Sequence, residues 1–406
     1  MIKKHVLHIV ENCTVPLDKR VWSEALAAKE WGYDVSIICP NPKNEYASYE
    51  RLDGIDIYRH PEFYEANKKH MYFFEYFNAL FFQLILSWKI FLKKRFHIIH
   101  SANPPDNIFL IALIFKAFQV KYIFDHHDYC TGLYKVKFGQ KDILYNILSL
   151  FETLSLKIAD IVITTNESLK KIDLLKAEKD ESDIFIVRNG PDLDKIKIKK
   201  PQKNYRDGHR FLIGYIGTIS KQESIENLLR IVDYIVNDKK LRDIKFVIIG
   251  TGPNIKEYMT LTKEMNLSNY IEFTGFIPFE ELLGILQQCD IGVNPEHTNS
   301  YTDKSTMLKI MDYMLAGKPI IQFESSEGQF TAGQASMYIK NNDEVEFANQ
   351  LVELLHNQPK QEEMGKIGKK RVAELLNWKI QKENLKDAYT YLMDMHDIGE
   401  VEKAML

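Results

Sequence analysis

Lys309 and Asp312 share the stretch Ser305-Thr306-Met307-Leu308-Lys309-Ile310-Met311-Asp312-Tyr313-Met314-Leu315-Ala316-Gly317-Lys318-Pro319. It reads as a helix with one apolar face that stops at Gly317, because a glycine just past the end and a proline two residues on do not continue it. A helix start presents amide N–H groups and a positive dipole end, which suit a phosphate. Asp312, about a turn further in, is placed to accept hydrogen bonds from ribose hydroxyls; the plainer reading is an exposed helix carboxylate. Phosphate plus ribose describes a nucleotide. A second candidate is Gly217-Thr218-Ile219-Ser220-Lys221-Gln222-Glu223, which follows an apolar run. Loop amides and a cation suit an anion, with Lys221 the nearest cation and Lys309 the second. A third is Asp125-His126-His127-Asp128. Two His and two Asp offer metal ligands, but neighbours on an extended segment alternate faces and do not converge. No other His or Cys stands at ligand spacing, so no metal is assigned.

The elements that must position these residues recur along the chain. Val/Ile-rich runs alternate with helical segments: His5–Val10, Val35–Cys39, His97–His100, Lys121–Phe124, Ile161–Thr164 and Ile184–Val187, then Phe211–Ile216, Lys245–Ile249, Ile271–Phe273, Ile291–Val293, Pro319–Phe323 and Met337–Ile339. Such runs read as strands buried on both faces of parallel sheets. Between the halves, Pro191–Arg210 is charged and punctuated by Pro and Gly, as a solvated linker is. At 406 residues two domains are expected: residues 1–195, residues 205–380, and a helical tail, 381–406. Two doubly wound α/β domains joined by a linker create a cleft, and ligands of such sheets bind beyond the C-terminal ends of the strands.

Composition narrows the class. A net charge of −3 gives no pull toward nucleic acid. The four cysteines lie far apart with no C-x-x-C pair, which argues for a reducing compartment. The start, Met1-Ile2-Lys3-Lys4-His5, lacks the features of a signal peptide, so a cytoplasmic location is expected. Residues 72–96 are rich in Phe, Leu, Ile and Trp, are interrupted by Glu75, Asn78, Gln83 and Lys89, and end in Lys93-Lys94-Arg95. The interruptions argue against a membrane span. A core helix and an interfacial helix at the inner face of the plasma membrane both fit.

The motifs together resemble the retaining glycosyltransferases of the GT4 family. The similarity covers nearly the whole chain: Asp18-Lys19-Arg20-Val21 with Glu24-Ala25 and Gly32-Tyr33-Asp34-Val35; Phe124-Asp125-His126-His127-Asp128; Arg188-Asn189-Gly190; Gly214-Tyr215-Ile216-Gly217; Gly250-Thr251-Gly252; Phe273-Thr274-Gly275-Phe276; and the Ser305–Pro319 stretch. Each is weak alone; their order is not. The resemblance implies the GT-B fold, two Rossmann-like domains facing a cleft, with the C-terminal helix crossing back to the first. It implies retaining transfer of a hexosyl group from a nucleotide-diphosphate sugar to a glycan or lipid-linked acceptor, in capsule, lipopolysaccharide or other surface polysaccharide biosynthesis. Neither a cofactor nor an obligatory metal is implied.

By the same resemblance His127 acts on the transferred sugar or its leaving group, with Asp128 orienting it. Gly217, Thr218, Lys221, Arg188, Ile277, Met307, Leu308, Lys309 and Asp312 bind the donor, and Asp18 and Arg20 lie on the acceptor side. The chain departs from the family in three places. Lys304 stands where the first acid of a Glu-x7-Glu pair is usual, Thr218 where Arg is common, and Glu223 where Lys is common. A sugar-nucleotide epimerase, a phosphorylase and a non-catalytic binding protein on the same fold are the alternatives.

Overall fold

A computed structural model describes residues 3–62, 71–139 and 141–404, and the side chains of these except residues 71–73 and 395–404. The chain divides into two compact units, Met1–Arg188 with Gln381–Leu406, and Asn189–Ile380.

In the first unit the strands are β1 (His5–Ile9), β2 (Asp34–Asn41), β3 (Tyr49–Leu52), β4 (Ile55–Pro61), β5 (Ile98–Ala102), β6 (Lys121–His126), β7 (Ile161–Thr164) and β8 (Ile184–Ile186). Its helices are α1 (Lys19–Glu30), α2 (Met71–Lys93), α3 (Phe109–Lys116), α4 (Cys130–Phe138), α5 (Ile143–Ile158) and α6 (Glu167–Ala177). Among the described residues the sheet order is β3-β4-β2-β1-β5-β6-β7-β8. All pairs are parallel except β3–β4. The Val and Ile of β1, β5, β6 and β7 are fully buried, as a sheet covered by helices on both faces requires. Helix starts are set by local side chains: Asp18, Asp142 and Asn166 each accept an N–H of the first turn of α1, α5 and α6.

The second unit holds β9 (Phe211–Ile216), β10 (Ile244–Ile249), β11 (Ile271–Gly275), β12 (Ile291–Asn294), β13 (Ile320–Phe323) and β14 (Ser336–Ile339). Its helices are α7 (Ile225–Asp233), α8 (Ile255–Glu264), α9 (Phe279–Gln288), α10 (Leu308–Leu315), α11 (Ser326–Ala332), α12 (Glu344–Leu355) and α13 (Gln358–Arg371). The sheet is parallel, in the order β11-β10-β9-β12-β13-β14. A last helix, α14, runs from Trp378 to Ala404. From Gln381 onward it belongs to the first unit, where Tyr389 is buried with its hydroxyl 2.8 Å from His100 Nδ1.

Three expectations need correction. The hairpin β3–β4 was not anticipated: it turns at Asp53-Gly54, both with positive φ, and its polar residues conceal it, Arg59 being buried against Thr14 Oγ1, Val15 O and Glu50. The helix expected from Ser305 begins only at Leu308, after a short 3₁₀ turn at Thr302–Lys304. Pro191–Arg210 is no free connector. Pro201 and Tyr205 are buried, and Arg206 forks onto Asp290 with contacts of 2.7 and 2.9 Å.

The apolar stretch at 72–96 is α2 as far as Lys93, although the side chains of Tyr72 and Phe73 lie outside the described residues. One face is core: Ala79 and Ile90 are buried, and Gln83 Nε2 donates to Glu11 at 2.6 Å. The other carries Phe74, Phe77, Phe81, Ile85 and Leu92, each 47–80% exposed. Among the described residues no helix is long and apolar enough to cross a membrane.

Candidate active site

In a doubly wound sheet, ligands bind beyond the strand C-termini where the strand order reverses. In the second unit that point lies between β9 and β12, since the chain runs outward through β10 and β11 and returns to β12. The loop Gly217–Glu223 leaves β9 there, and Pro295-Glu296 leaves β12. Tyr313 of α10 joins the two strand ends. Its hydroxyl donates to Val293 O at 2.9 Å and accepts the Ile216 N–H at 3.1 Å. Its ring fills the space above Gly292, where an added Cβ would stand 2.5 Å from it. Gly250 is required nearby: a Cβ on it would lie 1.9 Å from Gly217 O. The loop and α10 are therefore seated by fixed contacts.

Those contacts bring one cation to the switch point. Lys309 is buried, with Nζ 2.5 Å from Glu296 Oε1 and bonded also to Glu223. Tyr215 donates to Glu223 Oε2 at 3.0 Å, and its ring centre lies 5.0 Å from Nζ. Burial would lower the Lys309 pKa, but Glu296 and Glu223 raise it well above the ordinary value. Burial pushes Glu296 up to about 7, against the pull of Lys309 and with the help of Glu223.

The remaining donor candidates divide. Gly217 is half-buried and Thr218 exposed. Met307 is the N-cap residue of α10 and makes no side-chain cap bond, Leu308 is 53% exposed beside it, and Asp312 is half-buried further along. Ile277 packs against the cluster that contains Ile310 and Met314. Lys221 has its side chain 65% exposed and pairs with Glu257 at 3.3 Å, whereas Lys309 is the buried cation beside the loop. Lys304 bonds Ser300 O at 3.2 Å. Asp303 accepts the Ser326 N–H at 2.8 Å, which ties it to the start of α11. Arg188 belongs to the first unit, where its peptide N–H donates to Gln381 Oε1 at 2.8 Å.

In the first unit the order reverses between β1 and β5, and His127 follows β6 beside them. Asn103, just after β5, accepts the N–H groups of His127 and Asp128 at 2.9 and 3.1 Å and donates to Asp128 O at 2.7 Å, fixing the turn. The carboxylate nearest the His127 ring is Asp125, with Oδ2 3.4 Å from Nδ1; Asp128 lies 3.9 Å from Nε2 and is half exposed. Orientation by Asp128 is thus corrected to orientation by Asp125. Arg20 holds Asp125 with two contacts of 2.7 Å and donates to Val187 O at 2.9 Å. Despite burial, the Arg20 and His127 charges hold Asp125 far below the carboxylate range. Burial would lower His127, but the hydrogen bond and charge of Asp125 raise it. Asp18 is the α1 cap, bonded to Val21 N at 3.0 Å. His126 points elsewhere, with Nδ1 2.7 Å from Asp173, so the Asp-His-His-Asp run does not converge. Asn103 and Asp125 are the residues that sequence reasoning passed over, although Asp125 was visible in the motif.

Among the described residues, His8, Glu24 and His100 form one buried group whose ligand atoms lie within 4.8 Å of one another. Glu24 already faces a cation there, Arg20 Nε at 3.3 Å, and burial lowers the pKa of both imidazoles.

Comparison with known proteins adds the following. The profile of Glycosyltransferase Family 4 matches residues 19–195, and that of Glycosyl transferases group 1 matches residues 210–357. The D-inositol 3-phosphate glycosyltransferase of Corynebacterium diphtheriae is 22% identical over 188 residues, 45% of this chain and 42% of that one. The chain therefore spans less than half the length of that relative. The capsular polysaccharide biosynthesis glycosyltransferase CapM of Staphylococcus aureus is 24% identical over 270 residues, 63% of this chain and 68% of that one. The solved structure of Anabaena HepE in complex with UDP and glucose superimposes with a TM-score of 0.69 at 11% identity, covering 96% of this chain and 100% of that one. At that identity the likeness is one of fold.

Proposed function

The chain belongs to glycosyltransferase family 4 and has the GT-B fold, and from that premise we propose that it transfers a sugar with retention from a nucleotide-diphosphate sugar to a glycan or lipid-linked acceptor of a surface polysaccharide. The observation that carries the reading is the β9–β12 switch point, where the buried Lys309 ammonium, the loop Gly217–Glu223 and the start of α10 meet. An ammonium and helix amides are what a diphosphate requires. Asp312 on the same helix is the candidate partner of the ribose hydroxyls. In retaining transfer of this kind the acceptor attacks the face from which the diphosphate leaves, and the departing oxygen takes its proton. The protein then supplies position and charge rather than a nucleophile, and the reaction does not require a metal. The role of His127 rests on the family resemblance, and that of Asp125 in orienting it on their contact. The polysaccharide assignment is supported by the similarity to CapM.

A transfer and hydrolysis screen with UDP-, GDP- and ADP-sugars tests this reading: at least one donor is consumed, and consumption of none contradicts it. Asp312→Ala is expected to weaken binding of the matching nucleoside diphosphate by about tenfold or more, the value of one hydrogen bond to a charged group. Unchanged affinity by calorimetry would remove the ribose assignment.

The acceptor reading is supported by the exposed stripe of α2. Phe74, Phe77, Phe81, Ile85 and Leu92 follow helical spacing on the face opposite Ala79 and Ile90. A contiguous apolar face with Lys93 at its end suits an anionic lipid surface, and we assign it the inner leaflet of the plasma membrane. Lys94 is paired with Asp34, whereas Arg95, bonded to the neutral Phe118 O, keeps its full charge at that end. Flotation with anionic liposomes is expected for the native chain and not for Phe77→Glu/Phe81→Glu. Equal flotation of the two would place membrane contact elsewhere.

A further inference from the structure

The charge at the switch point is already balanced. Lys309 is bonded to both Glu223 and Glu296, so a diphosphate arriving there meets an ammonium that two carboxylates hold. The groups facing Glu296 come from every side. Glu223 lies in the loop after β9, Tyr215 on β9, and Lys309 on α10. Asn227 of α7 donates to Pro295 O at 3.0 Å, and His297, next in the chain, has Nε2 3.0 Å from Glu344 of α12. Within this shell the nearest groups are one cation and a second carboxylate, and Glu296 is 8% exposed. Adding the negative charges of a diphosphate beside two carboxylates is unfavourable in a site this enclosed.

We propose that Glu223 and Glu296 are a built-in counter-anion for Lys309, and that a nucleoside diphosphate gains this ammonium only as Glu296 takes up a proton. Glu296 is then a positioning residue: it keeps the buried ammonium charged and aimed while the site is empty, and yields it to the donor. The sign follows from the chemistry. Glu296, raised by burial to about 7, is partly protonated at neutral pH. The incoming anion makes the protonated form still more favourable, so binding draws in a proton above pH 7. Affinity must fall as pH rises, by up to about tenfold per pH unit for one linked proton. Glu223 keeps its contact to Lys309.

The inference rests on the donor reading above, and the test separates the two. Calorimetry is run at pH 6.5, 7.5 and 8.5, in buffers of different ionisation enthalpy, with whichever of UDP, GDP and ADP binds. The native protein is expected to take up close to one proton per nucleotide at pH 8.5 and to bind about tenfold more weakly there than at pH 7.5. Glu296→Gln, which mimics the protonated side chain, is expected to bind with no proton uptake and with pH-independent affinity. A merely structural role would weaken binding at all three pH values and leave the uptake unchanged. Binding by the native protein without proton uptake overturns the inference alone. Binding of none of the three nucleotides at any pH overturns the donor reading, and the inference with it.

Discussion

Replacing His127 by alanine is expected to lower sugar transfer by roughly 10²–10³-fold, the usual effect of removing one group that stabilises charge developing in the transition state. Nucleoside-diphosphate affinity, assigned to residues of the second unit, is expected to be unchanged. The size follows from how firmly the ring is held. Asn103 fixes the turn that carries it, Asp125 faces Nδ1 at 3.4 Å, and Arg20 holds Asp125 with two contacts of 2.7 Å. Charge from Asp125 keeps the imidazole more basic than an ordinary histidine despite burial, so at neutral pH it is well suited to donate toward a developing negative charge. Single-turnover rates with saturating donor read the effect directly. A His127→Ala variant that retains native rates would move the role to another group.

The second large effect is expected at Lys309. Changing it to methionine keeps most of the volume but leaves Glu296 buried, and Glu223 half-buried, without their cation. Removing one partner of a buried ion pair costs about 3–5 kcal/mol. The loss is expected in the unfolding transition of the second unit at pH 8 and should shrink toward pH 5. There Glu296, raised by burial to about 7, takes up a proton, and less buried charge is left unpaired. Nucleotide binding should fall with it, since the buried ammonium beside the loop is gone. Urea denaturation at the two pH values, with calorimetry alongside, checks both. A variant equally stable at pH 5 and 8 would show that the carboxylates are not held by this ammonium.

Much of this was legible in the sequence because parallel strands buried on both faces are written as Val/Ile runs. Phe211–Ile216 and Ile161–Thr164 have the bounds expected of them. The hairpin of β3 and β4 was not read, because Tyr-Glu-Arg-Leu and the Asp, Arg and His of β4 look like loop until Arg59 is seen buried among its acceptors. Asp53-Gly54 was the local signal that could have found it. The site divides in the same way. Asp312, Lys309 and His127 were marked by type and position. Lys221 and Lys309 were both marked for the donor, and spacing along the chain does not say which of the two turns inward. Tyr313 does that by pinning α10 across β9 and β12. Glu223, read first as a departure from the family pattern, is the partner of Lys309. Asp125 went unused because its importance lies in a long-range pair with Arg20 that no local pattern reports.

The central claim is that the β9–β12 switch point of the second unit is a nucleotide-sugar donor site. Isothermal titration of the chain at pH 6.5 with UDP, GDP and ADP tests it most directly. The account predicts saturable one-to-one binding of at least one of the three, weakened in Asp312→Ala and in Lys309→Met. Absence of binding by all three, or binding that neither substitution changes, would contradict it.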